Sequence, residues 1–232
     1  PELEFPLLPH RFDGKTLRKM IQIGLPLGMN TALYSTGHLI LQILFNLQGS
    51  TFVAGCSVAG KVTSLANLAI ASLSSTMTVF SGQNLGAGNY RRLCRSAWLI
   101  PLSAGAITLS AGILVTIFCN PLLALFTHDT AVLAFATRYI HIVLPFTWMY
   151  AIMNVIMCFA NGIGEIKYPT IVNLFILWGV RIPVAYLLSR LGYGGYAMAS
   201  VPLSFLAGMI LMLFYFRTKR WAKLCALAKN EP

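Results

Sequence analysis

"SGQNLGAGNYRRLCRSAW", residues 81–98, decides the fold. It interrupts an apolar chain with glycines at 82, 86 and 88 and then arginines at 91, 92 and 95. A helix that crosses a bilayer needs about 20 apolar residues, and an apolar stretch of at least that length flanks the segment on either side. The segment therefore reads as a hairpin between two crossing helices. Gly86 and Gly88 allow the positive φ values that reverse the chain. Gln83 and Asn84 can hydrogen-bond the open end of the preceding helix, and Arg91, Arg92 and Arg95 hold the hairpin on one side of the bilayer.

Composition agrees. Of the 232 residues, 57% are hydrophobic and 10% charged, whereas a soluble domain carries roughly 25% charged residues. A soluble fold of this length cannot bury so much apolar surface. The segments of about ten residues with alternating polarity that mark a transmembrane barrel are absent. The fold class is all-α and integral to the membrane. The net charge of +11 raises nucleic acid as a partner, but the basic residues sit in short clusters between apolar runs, as in loops on the inner side of a membrane protein. Cys56, Cys94, Cys119, Cys158 and Cys225 form no CxxC pair and no metal-ligand cluster. A cleavable signal peptide is not expected, because the first residues are acidic and proline-rich. Pro1 in place of an initiator Met reads as a piece of a longer protein.

Working outward from the hairpin, six spans are expected, over about 17–47, 52–81, 97–119, 134–160, 168–190 and 196–216. Turns fall at Gln48, Gly49 and Ser50, at "NGIGEIK" (161–167) and at "LGYGG" (191–195), with a loop over 120–130. Three divisions follow: a cytoplasmic linker over 1–14, a six-helix lobe over 15–217 and a basic cytoplasmic tail over 218–232. The tail has an apolar face, and the expectation is a helix flat on the membrane with Trp221 at headgroup level. Both termini then lie on one side, together with thirteen of the 17 basic residues. Arg138 and Arg190 lie on the other side, and Lys61 and Arg181 fall inside helices. The asymmetry places both termini in the cytoplasm of a multi-pass protein of the plasma or inner membrane.

Polar residues recur at helical spacing in three spans. Asn30, Tyr34, His38, Gln42 and Asn46 share one slanted face of the first. Ser57, Lys61, Ser64, Ser72 and Ser75 recur in the second. Thr147, Tyr150, Asn154, Cys158 and Asn161 share a face of the fourth. Such faces either fasten helices together, at about 0.6 kcal/mol per hydrogen bond, or border a hydrated cavity. Three stripes on three helices favour the cavity. Lys61 lies about 15 Å into its helix by helical rise and is a functional candidate on that ground. Arg181 precedes Pro183, which removes a backbone donor and frees carbonyls in the turn before it, and Arg181 can satisfy them. His38 is a candidate hydrogen-bonding partner. The third and sixth spans are mostly apolar and read as lipid-facing or structural. Proline recurs at 26, 101, 145, 183 and 202, and such breaks are tolerated in membrane helices. No acid lies in any span: Glu2, Glu4, Asp13, Asp129, Glu165 and Glu231 are all in loops or tails.

The motifs "IGLPLG" (23–28), "SGQNLGAGNYRR" (81–92), "NGIGEIKYP" (161–169), "LWGVRIPVAYLLS" (177–189) and "FRTKRW" (216–221) occur in order. Over about residues 15–221 the chain resembles the C-terminal six-helix half of a multidrug and toxic compound extrusion (MATE) transporter. The resemblance implies one lobe of a twelve-helix, two-lobe carrier. Such a carrier expels cationic or amphipathic compounds in antiport with H+ or Na+, by alternating access, and uses no cofactor. It implies that the first, second and fourth spans border the lobe interior, and that the hairpin at Gln83, Asn84, Gly86, Gly88, Arg91 and Arg92 braces the inner side. The expected pathway residues are Asn30, Tyr34, His38, Gln42, Lys61, Ser64, Tyr150, Asn154 and Arg181. Family members that couple through this lobe carry carboxylates in its spans. Their absence here points to the N-terminal lobe as the place of coupling. The expected partners are small-molecule drugs, the bilayer and that lobe. Two other readings stand beside it. A lipid-linked sugar flippase of the same superfamily needs several cavity cations. An integral-membrane enzyme needs a catalytic cluster, and His10, His38, His128 and His141 are scattered. A half-length protein that pairs as a dimer is a further arrangement.

Overall fold

A computed structural model of the chain describes residues 14–229. The expected linker falls outside these residues apart from Gly14, which opens the first helix. Among these residues ten α-helices run in order: α1 Gly14–Asn46, α2 Ser50–Gly86, α3 Tyr90–Ile117, α4 Cys119–Ala124, α5 Thr130–Val143, α6 Thr147–Gly162, α7 Lys167–Leu174, α8 Ile182–Arg190, α9 Ser200–Phe214 and α10 Lys219–Lys229. A π-helical segment, Phe175–Arg181, joins α7 to α8. No strand occurs among the described residues.

The hairpin is tighter than its sequence implies. Helix α2 continues to Gly86 and α3 begins at Tyr90, so only residues 87–89 turn. The arginines belong to the first turns of α3, since arginine is a good helix former and nothing there breaks the helix. Gly86 is helical, which corrects the positive φ expected of it. Gly88 alone reverses the chain, at φ +75. Around it the Asn89 N–H donates to the Asn84 carbonyl at 2.9 Å and the Gly88 N–H to the Leu85 carbonyl at 3.2 Å. This is a Schellman closure, which satisfies the last carbonyls of the helix and needs a left-handed residue at one position. The same closure ends α6, where Gly164 has φ +78 and the Glu165 N–H reaches the Ala160 carbonyl at 2.8 Å.

Two proline breaks shape the remaining spans. Leu144–Phe146, containing Pro145, is a 3-10 turn that splits the fourth span, Thr130–Gly162, into α5 and α6. Asp129 starts α5 by accepting from the Ala131 and Val132 N–H groups at 2.8 and 3.3 Å, which places the start earlier than the apolar pattern does. In the fifth span, Lys167–Arg190, Pro183 follows the π segment. The ring of a helical proline crowds the carbonyl four residues back. Widening to i→i+5 bonds, as in Ile182 N–H to the Leu177 carbonyl, relieves that clash.

Among the described residues four helices are long and apolar enough to cross a membrane: α3, Thr130–Gly162, Lys167–Arg190 and Gly194–Arg217. Helix α2, bent by 48° between Leu65 and Asn67, makes a fifth. At 33 residues α1 spans about 50 Å, long enough to cross, with more polar side chains.

Helix α6 is the hub, with Ala151, Val155, Ile156, Phe159 and Ala160 all buried. Against it α3 presents Ala97, Pro101, Ala104, Gly105, Thr108 and Gly112, small residues that let backbones approach. The outer face of α3 carries Leu99, Leu102, Ile113 and Ile117, exposed as a lipid-facing surface requires. Helices α2 and α6 run parallel along a seam with a constant offset. The Ser74 hydroxyl donates to Asn154 Oδ1 at 2.7 Å, and the Thr78 hydroxyl to the Cys158 carbonyl at 3.3 Å. One turn further Gly82 faces the Gly162 carbonyl, and a Cβ on Gly162 would stand 2.5 Å from the Thr78 carbonyl.

The tail departs from expectation. Helix α10 forms, but Trp221 and Leu224 are buried in the main core, so the apolar face of the tail packs on the lobe and is not left open to lipid. The Trp221 ring meets Phe159 edge-on at 5.6 Å and Phe216 at 5.0 Å. The aromatic face finds a better partner in the lobe's own end than in lipid, and it seals the end that carries the arginine hairpin.

Candidate functional site

Among the described residues the core beside the hairpin is built on buried Leu93, Ala97, Phe159, Tyr215 and Trp221, and a polar cavity lies toward the other end of the lobe. There a cavity of about 360 Å³ lies between α1, α2, α5, α6, the π segment and α9. Tyr34, His38, Leu41, Gln42 and Phe45 of α1 line it, with Asn67 of α2, Tyr139 of α5, Tyr150 of α6, Arg181 of the π segment, and Val201 and Phe205 of α9. Gly37 lets α1 approach the π segment, since a Cβ there would run into Leu177 and Trp178. The Trp178 indole N–H donates to the Leu33 carbonyl at 3.3 Å across the same contact.

Arg181 is the charged centre of the cavity. Its Nε and Nη2 donate to the Ser204 hydroxyl at 3.1 and 2.9 Å, and its guanidinium lies 5.5 Å from the centre of the Phe205 ring. These bonds go to a side chain and not to the carbonyls before Pro183, which corrects the role expected of it. The π register accommodates that proline instead. Tyr150 packs on Phe205 at 5.0 Å. Its hydroxyl accepts from Asn154 Nδ2 at 3.2 Å, and Asn154 Oδ1 in turn accepts from Ser74. The Tyr150 O–H is left to donate. The Tyr34 and His38 rings meet edge-on at 4.7 Å.

Of the residues singled out from sequence, Tyr34, His38, Gln42, Tyr150 and Arg181 come together in this cavity. Asn154 stands behind Tyr150 in the α2–α6 seam. Lys61 and Ser64 do not line the cavity. Lys61 is exposed on α2, its ammonium 5.6 Å from the centre of the Phe126 ring, so it is not a charge buried within the lobe. Ser64, Ser72 and Ser75 share that exposed side and bond their own helix carbonyls. The side chain of Asn30 lies outside the described residues. Asn67, Tyr139 and Phe205 were not singled out. Asn67 is three residues from Ser64 and was legible as a polar residue in an apolar run, whereas Tyr139 and Phe205 carry no signal apart from neighbours supplied by the fold. Near the hairpin, Asn89, Arg91, Arg92 and Arg95 line a shallow basic recess, with Arg92 over the Phe80 ring at 5.1 Å. No cluster of His, Cys, Asp and Glu suited to a metal occurs among the described residues.

The fold and the site together define a helical membrane lobe with a polar cavity between its spans. Residues 26–187 match the MatE family model, and the chain belongs to that family. It is 26% identical over 215 residues to the probable multidrug resistance protein YoeA of Bacillus subtilis, covering 89% of this chain and 45% of that protein. It is 31% identical over 219 residues to the probable multidrug resistance protein NorM of Haemophilus ducreyi, covering 86% of this chain and 45% of the relative. The chain thus spans about half the length of the curated relatives it matches. Its fold is that of an outward-facing multidrug resistance MATE family transporter of the MOP superfamily, with a TM-score of 0.76 at 19% identity over 98% of this chain and 51% of that one. An inward-facing structure of such a transporter matches with a TM-score of 0.74 at 17% identity, over 96% and 51%.

Proposed function

We propose that this chain forms one lobe of a multidrug exporter. The exporter expels cationic and amphipathic compounds through the membrane in antiport with H+ or Na+, by alternating access. The observation that carries the reading is the polar cavity around Tyr34, Tyr150 and Arg181 in a MatE-family lobe. Relatives named as multidrug resistance proteins support the substrate class. The basic end faces the cytoplasm of the plasma or inner membrane, and both termini lie there. The cavity forms part of the substrate wall.

The coupling carboxylate lies in the lobe that completes the carrier, because every acid of this sequence falls in a loop or tail. The test is drug accumulation in cells expressing the full-length protein, with acids of the other lobe neutralised one at a time. At least one neutralisation abolishes ion-driven export; undiminished export after each of them rejects the assignment. The flippase reading weakens because Lys61 does not line the cavity, which leaves Arg181 as the single cation among its described lining residues.

A further inference from the structure

We infer that the cavity around Arg181 is a subsite for a small monoanionic group, and that its main occupant is the carboxylate of an amphipathic or zwitterionic substrate. The inference rests on the exporter reading and sharpens its substrate class.

The charge pattern comes first. Of the described residues lining the cavity, Arg181 bears the one permanent charge, and none is acidic. Asp129 and Glu165 are the acids among the described residues. Both sit in turns at helix ends, at the N-cap of α5 and just past the C-terminus of α6. A guanidinium within a membrane lobe is costly without a counter-charge. Within this lobe the described partners of Arg181 are a hydroxyl and an aromatic face, both neutral.

The donor pattern agrees. A guanidinium has five N–H donors in a planar fork suited to a carboxylate. Ser204 takes one from Nε and one from Nη2, so Nη1 keeps its edge for another acceptor. Ser204 and Phe205 hold the fork from one side and fix its direction. The chain from Ser74 through Asn154 to Tyr150 leaves a phenolic O–H as a second donor at the same cavity. A metal cation or an ammonium meets like charge here and finds no carboxylate. An anion meets charge and hydrogen-bond donors together. Leu41 and Phe45 in the same lining suit the apolar body that bears the anion.

The experiment uses the full-length protein in cells stripped of other exporters. Export is compared for one fluorescent amphipathic amine in two forms, with a free carboxylate and as its methyl ester. Each is measured with chloride and with methanesulfonate as the bath anion, for wild type, Arg181→Gln and Arg181→Lys. Membrane abundance is followed by a fused fluorescent reporter. We expect Arg181→Gln to weaken export of the carboxylate at least about tenfold more than that of the ester, as loss of a charge-assisted hydrogen bond implies, with Arg181→Lys recovering part of the difference. If instead chloride stimulates wild-type export of the ester and Arg181→Gln abolishes that stimulation, the monoanion site stands with inorganic chloride as its occupant. Equal loss of both substrates without chloride dependence, or no loss of either, overturns the inference. That result would assign Arg181 to packing or to a carboxylate of the completing lobe. Wild-type protein that exports neither form overturns the exporter reading itself, a separate outcome. If Arg181→Gln fails to reach the membrane, the same comparison is read from Arg181→Lys and Tyr150→Phe, each expected to disfavour the carboxylate relative to the ester. An unchanged ratio in both rejects the subsite.

Discussion

Three glycines within reach of the hairpin have three different physical jobs, and alanine distinguishes them. Gly86 is helical with open space around its α-carbon, so Gly86→Ala is expected to be neutral or to stabilise by about 0.4–1 kcal/mol. Gly88 sits at φ +75, where a Cβ costs about 1–2 kcal/mol. Gly88→Ala should lower the melting temperature of the detergent-purified protein. At Gly162 the added Cβ would meet the Thr78 carbonyl, a backbone atom that cannot turn aside. Parting two packed helices costs about 1–3 kcal/mol, so Gly162→Ala should destabilise at least as much as Gly88→Ala. Melting curves that rank Gly86→Ala with the other two would contradict the turn and seam assignments. Asn154 ties Ser74 to Tyr150, and at about 0.6 kcal/mol per membrane hydrogen bond Asn154→Leu should cost roughly 1 kcal/mol by the same assay.

At the scale of elements, the break in the fifth span does most to place Arg181. One residue of π register turns everything beyond it by about 100° relative to an α-helix, and Arg181 is the last residue of that segment. Pro183→Ala removes the clash that favours the wide turn. It should let the span relax toward α register and swing the guanidinium off Ser204. Export should fall while membrane abundance is maintained; wild-type export with Arg181 still bound to Ser204, seen in a structure of the variant, would refute this. The span count was legible because apolar runs of membrane length are hard to hide, and span ends were readable to within a few residues because glycine marks them. Helix starts were less legible: Asp129 and the arginine run extend α5 and α3 backwards through residues that read as loop. The polar faces were legible as faces, but which way each faced was not. In α2 the stripe with Lys61 does not line the cavity, while Asn67 on the same helix does. Periodicity gives the angle between residues and leaves the absolute rotation to packing. Trp221 shows the same gap, since an amphipathic tail reads alike whether lipid or its own lobe covers its face.

For the whole molecule, the two ends differ in kind. One end collects the arginine hairpin, the α6–α7 turn and α10 around buried Phe159, Tyr215 and Trp221. The other end ties its turns by Gln48, whose side-chain amide donates to the Ser189 hydroxyl at 2.8 Å, and leaves the cavity between the spans. The central claim is that this cavity is a wet passage and not merely a gap between fastened helices. Its most direct test is labelling by a membrane-impermeant thiol reagent in the full-length protein, with the native cysteines replaced and single cysteines placed at Tyr34, Gln42 or Asn67. A cysteine at Ala97, buried beside the hairpin, serves as the reference. The account predicts modification at the three cavity positions, slowed by transported compound, and none at position 97; a transport-competent protein in which no cavity position is ever modified would contradict it.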